Sequence, residues 1–299
     1  MSWLRRFQVK GVFWRRLLRF GTLTVPIWIE PVILAWWSGF FLLWGPGRRG
    51  VMQNLAIIKP GSSAFANFFR TYRVFWNFAW TITDNVRFKE HRTAPDWTFR
   101  GLQHFDALRQ HEGGAIILTA HMGNYDLGAH LFAEIAKRKI VMVRAPETDS
   151  ETQAHEQNLR ERTVGSDLSV GFSGESPDLA IDLLHALNRG EIVAIQGDRV
   201  VGGVARLPMR LLGSNAQVPA GPFALAMASG VPIFPLFVVR AGRRHYSLIV
   251  GEPFRVERDR DRQRAFAGAV EKWTAELESA VRSYWFQWFT FEPFAEDAK

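Results

Sequence analysis

Five short apolar runs set what this chain can fold into. AIILTA (115–120), IVMVRA (140–145), EIVAIQ (191–196), VPIFPLFVVR (231–240) and YSLIVG (246–251) have strand length. Helical spacing fills most of the ground around them, at 101–110, from about Asn124, and at 149–161, 176–188, 219–229 and 259–283. Continuous apolar runs mark strands buried on both faces. Strands that alternate with helices imply a largely parallel sheet with helices on its faces. The expected architecture is therefore α/β, a central, mostly parallel sheet flanked by helices, with WTFR (97–100) as a further short strand and 197–217 as a Gly/Arg-rich loop. With 299 residues, 47% of them hydrophobic and 22% charged, the chain can bury one large core. The same balance argues against a disordered chain or one that spans a membrane many times. There is no cysteine, which excludes disulfides, thiolate metal sites and a cysteine nucleophile.

The first 50 residues differ from the rest. They hold eight of the 37 basic residues, one acid (Glu30) and six of the 12 tryptophans. The net charge of +8 thus sits almost entirely there, and the body is balanced. A cationic, Trp-rich arm suits an anionic membrane surface, whereas a nucleic-acid surface spreads its basic residues over the folded body. Residues 3–20 fit an amphipathic helix, with Trp3, Phe7, Trp14 and Leu18 opposite Arg5, Arg16 and Arg19. Residues 21–44 would reach about 36 Å as one helix, enough to span a bilayer. Glu30 and the helix breakers Pro26 and Pro31 favour an interfacial or re-entrant hairpin over a clean span. No small-residue cleavage site follows, so the segment does not read as a removable signal. Residues 63–83 suit a helix with an aromatic face, either core or acyl-chain lining. The expected division is a membrane-associating segment, 1–50, and a catalytic domain, 51–299.

The stretch Leu118-Thr-Ala-His121-Met-Gly-Asn-Tyr-Asp126 carries the chemistry. His121 lies just past the carboxyl end of a buried strand, where open α/β sheets bind ligands. Gly123 allows a tight turn and Asn124 caps the next helix. Five residues of separation can bring the Asp126 carboxylate to one imidazole nitrogen, leaving the other as a base. No nucleophile accompanies them: Gly171-Phe-Ser-Gly-Glu175 fails the G-x-S-x-G pattern at its last position. A base without an enzyme nucleophile suggests activation of a substrate hydroxyl or amine. The other reading of the spacing is a capped strand–helix junction with a structural histidine.

His121 and Asp126 in H-x-x-x-x-D, with Gly123, Asn124 and Tyr125 between, precede a Gln196-Gly-Asp198-Arg199 block. Then come Leu212-Gly213, Val218-Pro-Ala-Gly-Pro222, Val231-Pro-Ile-Phe-Pro235 and an aromatic tail, Trp285-Phe-Gln-Trp288-Phe289. Taken in order over residues 50–295, these resemble the glycerolipid/lysophospholipid acyltransferase superfamily, in its bacterial lipid A biosynthesis branch. Asp126 stands where lipid A enzymes commonly have glutamate, which leaves the acceptor open. The resemblance implies acyl transfer from an acyl carrier protein or coenzyme A thioester to a hydroxyl of a lipid or glycolipid. In it His121 is the base and Asp126 its orienting partner. Backbone N–H groups near Gly123 or Asn124 are candidates for the oxyanion. Asp198, Arg199 and Arg144 are candidates for substrate recognition, the arginines for phosphate. Aromatics of 65–80 and 284–294 line an acyl groove or pack as core. No metal or other cofactor is implied, and the place is the cytoplasmic face of a bacterial inner membrane. Two rivals remain: a thioester or lipid hydrolase using the same pair, and a non-catalytic membrane-binding protein. A metal hydrolase on His121, Asp126 and Asp198 is more distant, since the histidines form no ligand motif.

Overall fold

A computed structural model describes residues 12–91, 95–136, 138–144, 168–172, 178–200, 203–257 and 259–296. The start of the amphipathic arm and the helix expected at 149–161 lie outside these.

Four helices precede the sheet: α1 (Val12–Thr24), α2 (Glu30–Trp44), α3 (Arg48–Ile58) and α4 (Ala64–His91). The apolar stretch 21–44 is therefore broken between α1 and α2, beside Pro26. No helix among the described residues is long and apolar enough to cross a membrane. Glu30 is buried at the head of α2, where its carboxylate accepts from the Arg87 guanidinium on α4 at 2.8 Å. Burial of that carboxylate raises its pKa, against the pull of Arg87 and Arg243.

The sheet follows, with β1 (Asp96–Arg100), α5 (Leu102–Gln110), β2 (Ala115–Thr119), α6 (Tyr125–Ala136), β3 (Ile140–Arg144) and β4 (Leu168–Phe172). Next come α7 (Leu179–Asn188), β5 (Ile192–Gln196), β6 (Arg206–Leu211), β7 (Ser214–Pro219) and α8 (Gly221–Ser229). The last elements are β8 (Ile233–Gly242), β9 (His245–Val250) and α9 (Arg262–Tyr284). Seven strands form one sheet in the order β1-β9-β8-β2-β5-β3-β4. Every pair is parallel except β8 with β9. The expected α/β architecture is thus present, with two differences. The stretch 168–172, next to the incomplete Ser motif, is the edge strand β4. The expected loop at 197–217 contains a separate antiparallel hairpin, β6–β7. Its turn, Leu212-Gly213, has φ of 54° and 82°. Two left-handed residues suit a two-residue hairpin turn, and the glycine meets that demand without strain.

Both sheet faces are covered, as fully buried strands require. On β2, Ile116 and Leu118 pack towards Leu183 of α7, Phe223 of α8 and Trp273 of α9. Ala115 and Ile117 pack oppositely, with Phe105 of α5 and Phe132 of α6. Trp273 is fully buried, its rings stacked on Phe237 at 5.7 Å, and its indole N–H donates to the Gly197 carbonyl at 2.9 Å. That bond anchors the loop after β5 from beneath.

Candidate active site

The register of β2 and β5 builds the site. Thr119 lies opposite Gln196, and the Gly197 N–H donates to the Thr119 carbonyl at 2.8 Å. Two residues beyond each strand end, His121 and Asp198 therefore arrive side by side. His121 Nδ1 and Asp198 Oδ1 are 2.7 Å apart. The Asp198 side chain is wholly buried, whereas 19% of the His121 side chain remains accessible. Burial alone would push the Asp198 carboxyl up. The charge and hydrogen bond of His121, the nearby Arg199 and the Trp288 indole outweigh it and bring it down to about 2. An ionised carboxylate only accepts, so Nδ1 carries a proton in either state of the ring, and in the neutral tautomer so fixed the lone pair is on Nε2. Among the described residues Nε2 has no hydrogen bond.

The pairing of His121 with Asp126 expected from their spacing is corrected here. Asp126 lies in the first turn of α6, where it is ion-paired with Arg144 at the end of β3. The Tyr125 ring stands between the two pairs, 6.0 Å from the imidazole and 5.7 Å from the Arg144 guanidinium carbon. Sequence distance misleads because α6 leaves its turn facing β3, while the neighbouring parallel strand supplies the nearer carboxylate.

Gly123 and Asn124 shape that turn. Gly123 has φ +54°, and a Cβ there would lie 1.8 Å from the Val238 carbonyl oxygen, so only glycine fits. Asn124 Oδ1 accepts from the Leu127 N–H at 3.2 Å, the expected cap. Both backbone N–H groups are engaged: Gly123 donates to the Gln287 carbonyl at 2.8 Å and Asn124 to that of Val238 at 2.9 Å. As they stand they are not oxyanion donors, which corrects that expectation.

Arg199 lies near Asp198, but the two carboxylate oxygens are taken by His121 and Trp288. The Arg199 Nε is buried without a hydrogen bond among the described residues. The same holds for Thr119 Oγ1 and Gln196 Nε2, which border an apolar cleft between the sheet and α6. Ile117, Phe132, Ile140, Met142 and Leu236 line this cleft. Buried polar atoms without partners are rare, and ordered water or a bound group would satisfy them. Of the two readings for the aromatics of 65–80 and 284–294, acyl lining or core, packing as core holds for several of them. Phe78 meets Phe289 and Phe291 at 5.1 Å each as core, and Phe65 and Phe69 are exposed.

The sequence did not single out Trp288, Gln287, Tyr246 or Asp84 for a role in the site. Asp84, on α4, accepts from the Tyr246 hydroxyl at 2.5 Å, and Asn124 Nδ2 donates to that hydroxyl at 3.4 Å. Burial raises both acids, Asp84 and Tyr246. The available signals were a tyrosine inside an apolar strand and a Gln-Trp pair in the tail.

At the carboxyl ends of the parallel strands an accessible imidazole thus rests on a buried carboxylate. The chain matches the family model for the bacterial lipid A biosynthesis acyltransferase over residues 48–293, and it belongs to that family. It is thus an acyltransferase of a lipid-building family, one that takes an acyl donor and a lipid acceptor. No curated protein matches the chain.

Proposed function

We propose that this protein transfers a fatty acyl group from an acyl carrier protein or coenzyme A thioester to a hydroxyl of a lipid or glycolipid. The observation that carries this reading is the His121–Asp198 pair, ionised on the buried side and open at Nε2. His121 Nε2 takes the proton of the acceptor hydroxyl as its oxygen attacks the thioester carbonyl. Asp198 holds the tautomer and stabilises the imidazolium. The thiol leaves as the tetrahedral intermediate collapses, taking back the proton from His121. Arg199, with an unengaged donor at the site, binds phosphate of the donor or acceptor. Asp126 and Arg144 act as a pair at the rim. The acyl chain enters the cleft beside β2, with Thr119 and Gln196 at its polar end.

The protein docks on an anionic membrane through its N-terminal helices. Phe20, Trp28, Val32, Trp36 and Trp44 on or beside α1 and α2 are exposed, and Phe65 extends this surface at the start of α4. Exposed aromatics of this density mark an apolar environment. The place is the cytoplasmic face of a bacterial inner membrane. No metal or other cofactor is required by these steps.

Comparative lipid mass spectrometry tests the reading, in a deletion strain complemented with wild type or with His121→Ala. A lipid one acyl chain heavier with wild type alone supports it and identifies acceptor and chain length. Identical lipidomes, with the variant folded and membrane-bound, would refute it.

A further inference from the structure

The chain after α9 is threaded through the site. Gln287, wholly buried, offers its side-chain amide to Arg240 of β8 as a neighbouring strand would. Its Oε1 accepts from the Arg240 N–H at 2.7 Å, and its Nε2 donates to the Arg240 carbonyl at 2.8 Å. The Gln287 carbonyl accepts from Gly123. The Trp288 indole N–H donates to Asp198 Oδ2 at 2.9 Å. The Phe289 N–H donates to the His121 carbonyl at 2.8 Å. Three consecutive residues thus hold β8, the histidine loop and the carboxylate. Farther on, Asn54 of α3 donates to the carbonyls of Thr290 and Glu292, each at 2.9 Å, and accepts from the Phe294 N–H at 3.1 Å. The strap is tied at both ends.

Asp198 has two oxygens and receives a donor on each. The terminal torsion of an aspartate is soft, so one donor leaves the carboxylate free to rock. A second donor on the other oxygen sets its plane. We propose that Trp288 is a positioning residue of the active centre, its indole N–H fixing the rotation of the Asp198 carboxylate and through it the orientation of His121. The ionisable groups facing the pair are Arg199 in the same loop and, beyond Tyr125, the Asp126–Arg144 ion pair from α6 and β3. Residues 285–291 of the strap contain no ionisable side chain, so the strap acts on the pair through hydrogen bonds and packing.

The test compares full-length wild type, Trp288→Phe and the control Trp285→Phe in detergent micelles. Trp285 belongs to the same strap and rests beside the Arg73 guanidinium, 5.4 Å from its ring centre, without a bond to the pair. Proton NMR follows the His121 Nδ1–H, identified by its loss in His121→Ala. Steady-state assays give kcat and KM, and thermal unfolding checks the fold. In Trp288→Phe the Nδ1–H resonance broadens or shifts. Its kcat falls about tenfold or more, as expected for one charge-assisted bond, with KM for the thioester within about twofold. Trp285→Phe matches wild type in resonance and kcat. A Trp288→Phe resonance coincident with wild type overturns the proposal, whatever the turnover. Only the kinetic arm rests on the acyl-transfer reading: if wild type transfers no acyl group, that reading falls, and the resonance still decides the role of Trp288.

Discussion

Two polar clusters flank the turn at Gly123 and Asn124, and they differ in closure and in the sign of their pKa shifts. On one side His121, Asp198 and Trp288 form a short chain that ends at an open Nε2. On the other, Asn124, Tyr246 and Asp84 are linked by hydrogen bonds, Arg240 stands 3.6 Å from Asp84, and the guanidinium of Arg240 lies over the Trp80 ring. Both hold ionisable groups out of water, and both shift them. The shifts have opposite signs. Asp198 is drawn below its ordinary range because donors outweigh burial, while Asp84 is raised because burial outweighs its partners. A carboxylate kept ionised beside an accessible imidazole can do proton chemistry. A closed network ties helix α4 to the sheet. Burial and charge are common to both clusters; the open nitrogen belongs to one.

If His121 is the base, as proposed, removing it gives the largest expected effect. His121→Ala should lower acyl transfer by roughly 10²–10⁴-fold with little change in unfolding temperature, measured by thioester discharge on the purified protein. The comparison of carboxylates comes next. Asp198→Asn should approach the loss in His121→Ala, and exceed the loss in Asp126→Asn by about tenfold or more, because only the former disturbs the tautomer. Equal losses, or the reverse order, would return Asp126 to the imidazole.

The opposite pKa shifts make a third prediction, read by urea unfolding as a function of pH. Asp198, at about 2 when folded against an ordinary value of 3.8, adds stability that is present above about 4 and lost as the pH falls towards 2. Asp84 is raised, so the folded chain holds its proton more tightly, and stability grows as pH falls through its folded value. Asp198→Asn should flatten the acid loss and Asp84→Asn should remove the acid gain. Slopes of the same sign in the two variants would break the contrast. On the closed side, Tyr246→Phe should cost about 1–2 kcal/mol in denaturant unfolding, one buried hydrogen-bonding group, with kcat changed less than about threefold. Smallest in stability is Trp36→Ser on the exposed helix face, within about 0.5 kcal/mol. It should nonetheless weaken binding to anionic vesicles in a sedimentation assay.

The fold was legible because its strands are uninterrupted apolar runs, and such runs have few ways to be buried. AIILT and IVAIQ announce themselves as neighbours of helices on both faces. LSVGF, residues 168–172, did not: it is short, carries a serine and a glycine, and forms the sheet edge. The hairpin β6–β7 was hidden by its arginines and glycines, which resemble loop composition. His121, Gly123, Asn124 and the Gln-Gly-Asp-Arg block were visible as motifs. Which carboxylate meets the histidine was not, since 77 residues separate His121 from Asp198 and only five separate it from Asp126.

The sequence by itself determined the α/β class, the place of His121 at a strand end, the glycine turn and the apolar character of the amino-terminal helices. Each follows from local spacing and residue chemistry. Tertiary structure alone decided that Asp198 holds the imidazole, that Asp126 pairs with Arg144, and that the tail returns to bind both His121 and Asp198. These contacts depend on which strands pair and in what register, and parallel pairing is set by the closing of distant segments, which leaves no mark on the spacing along the chain.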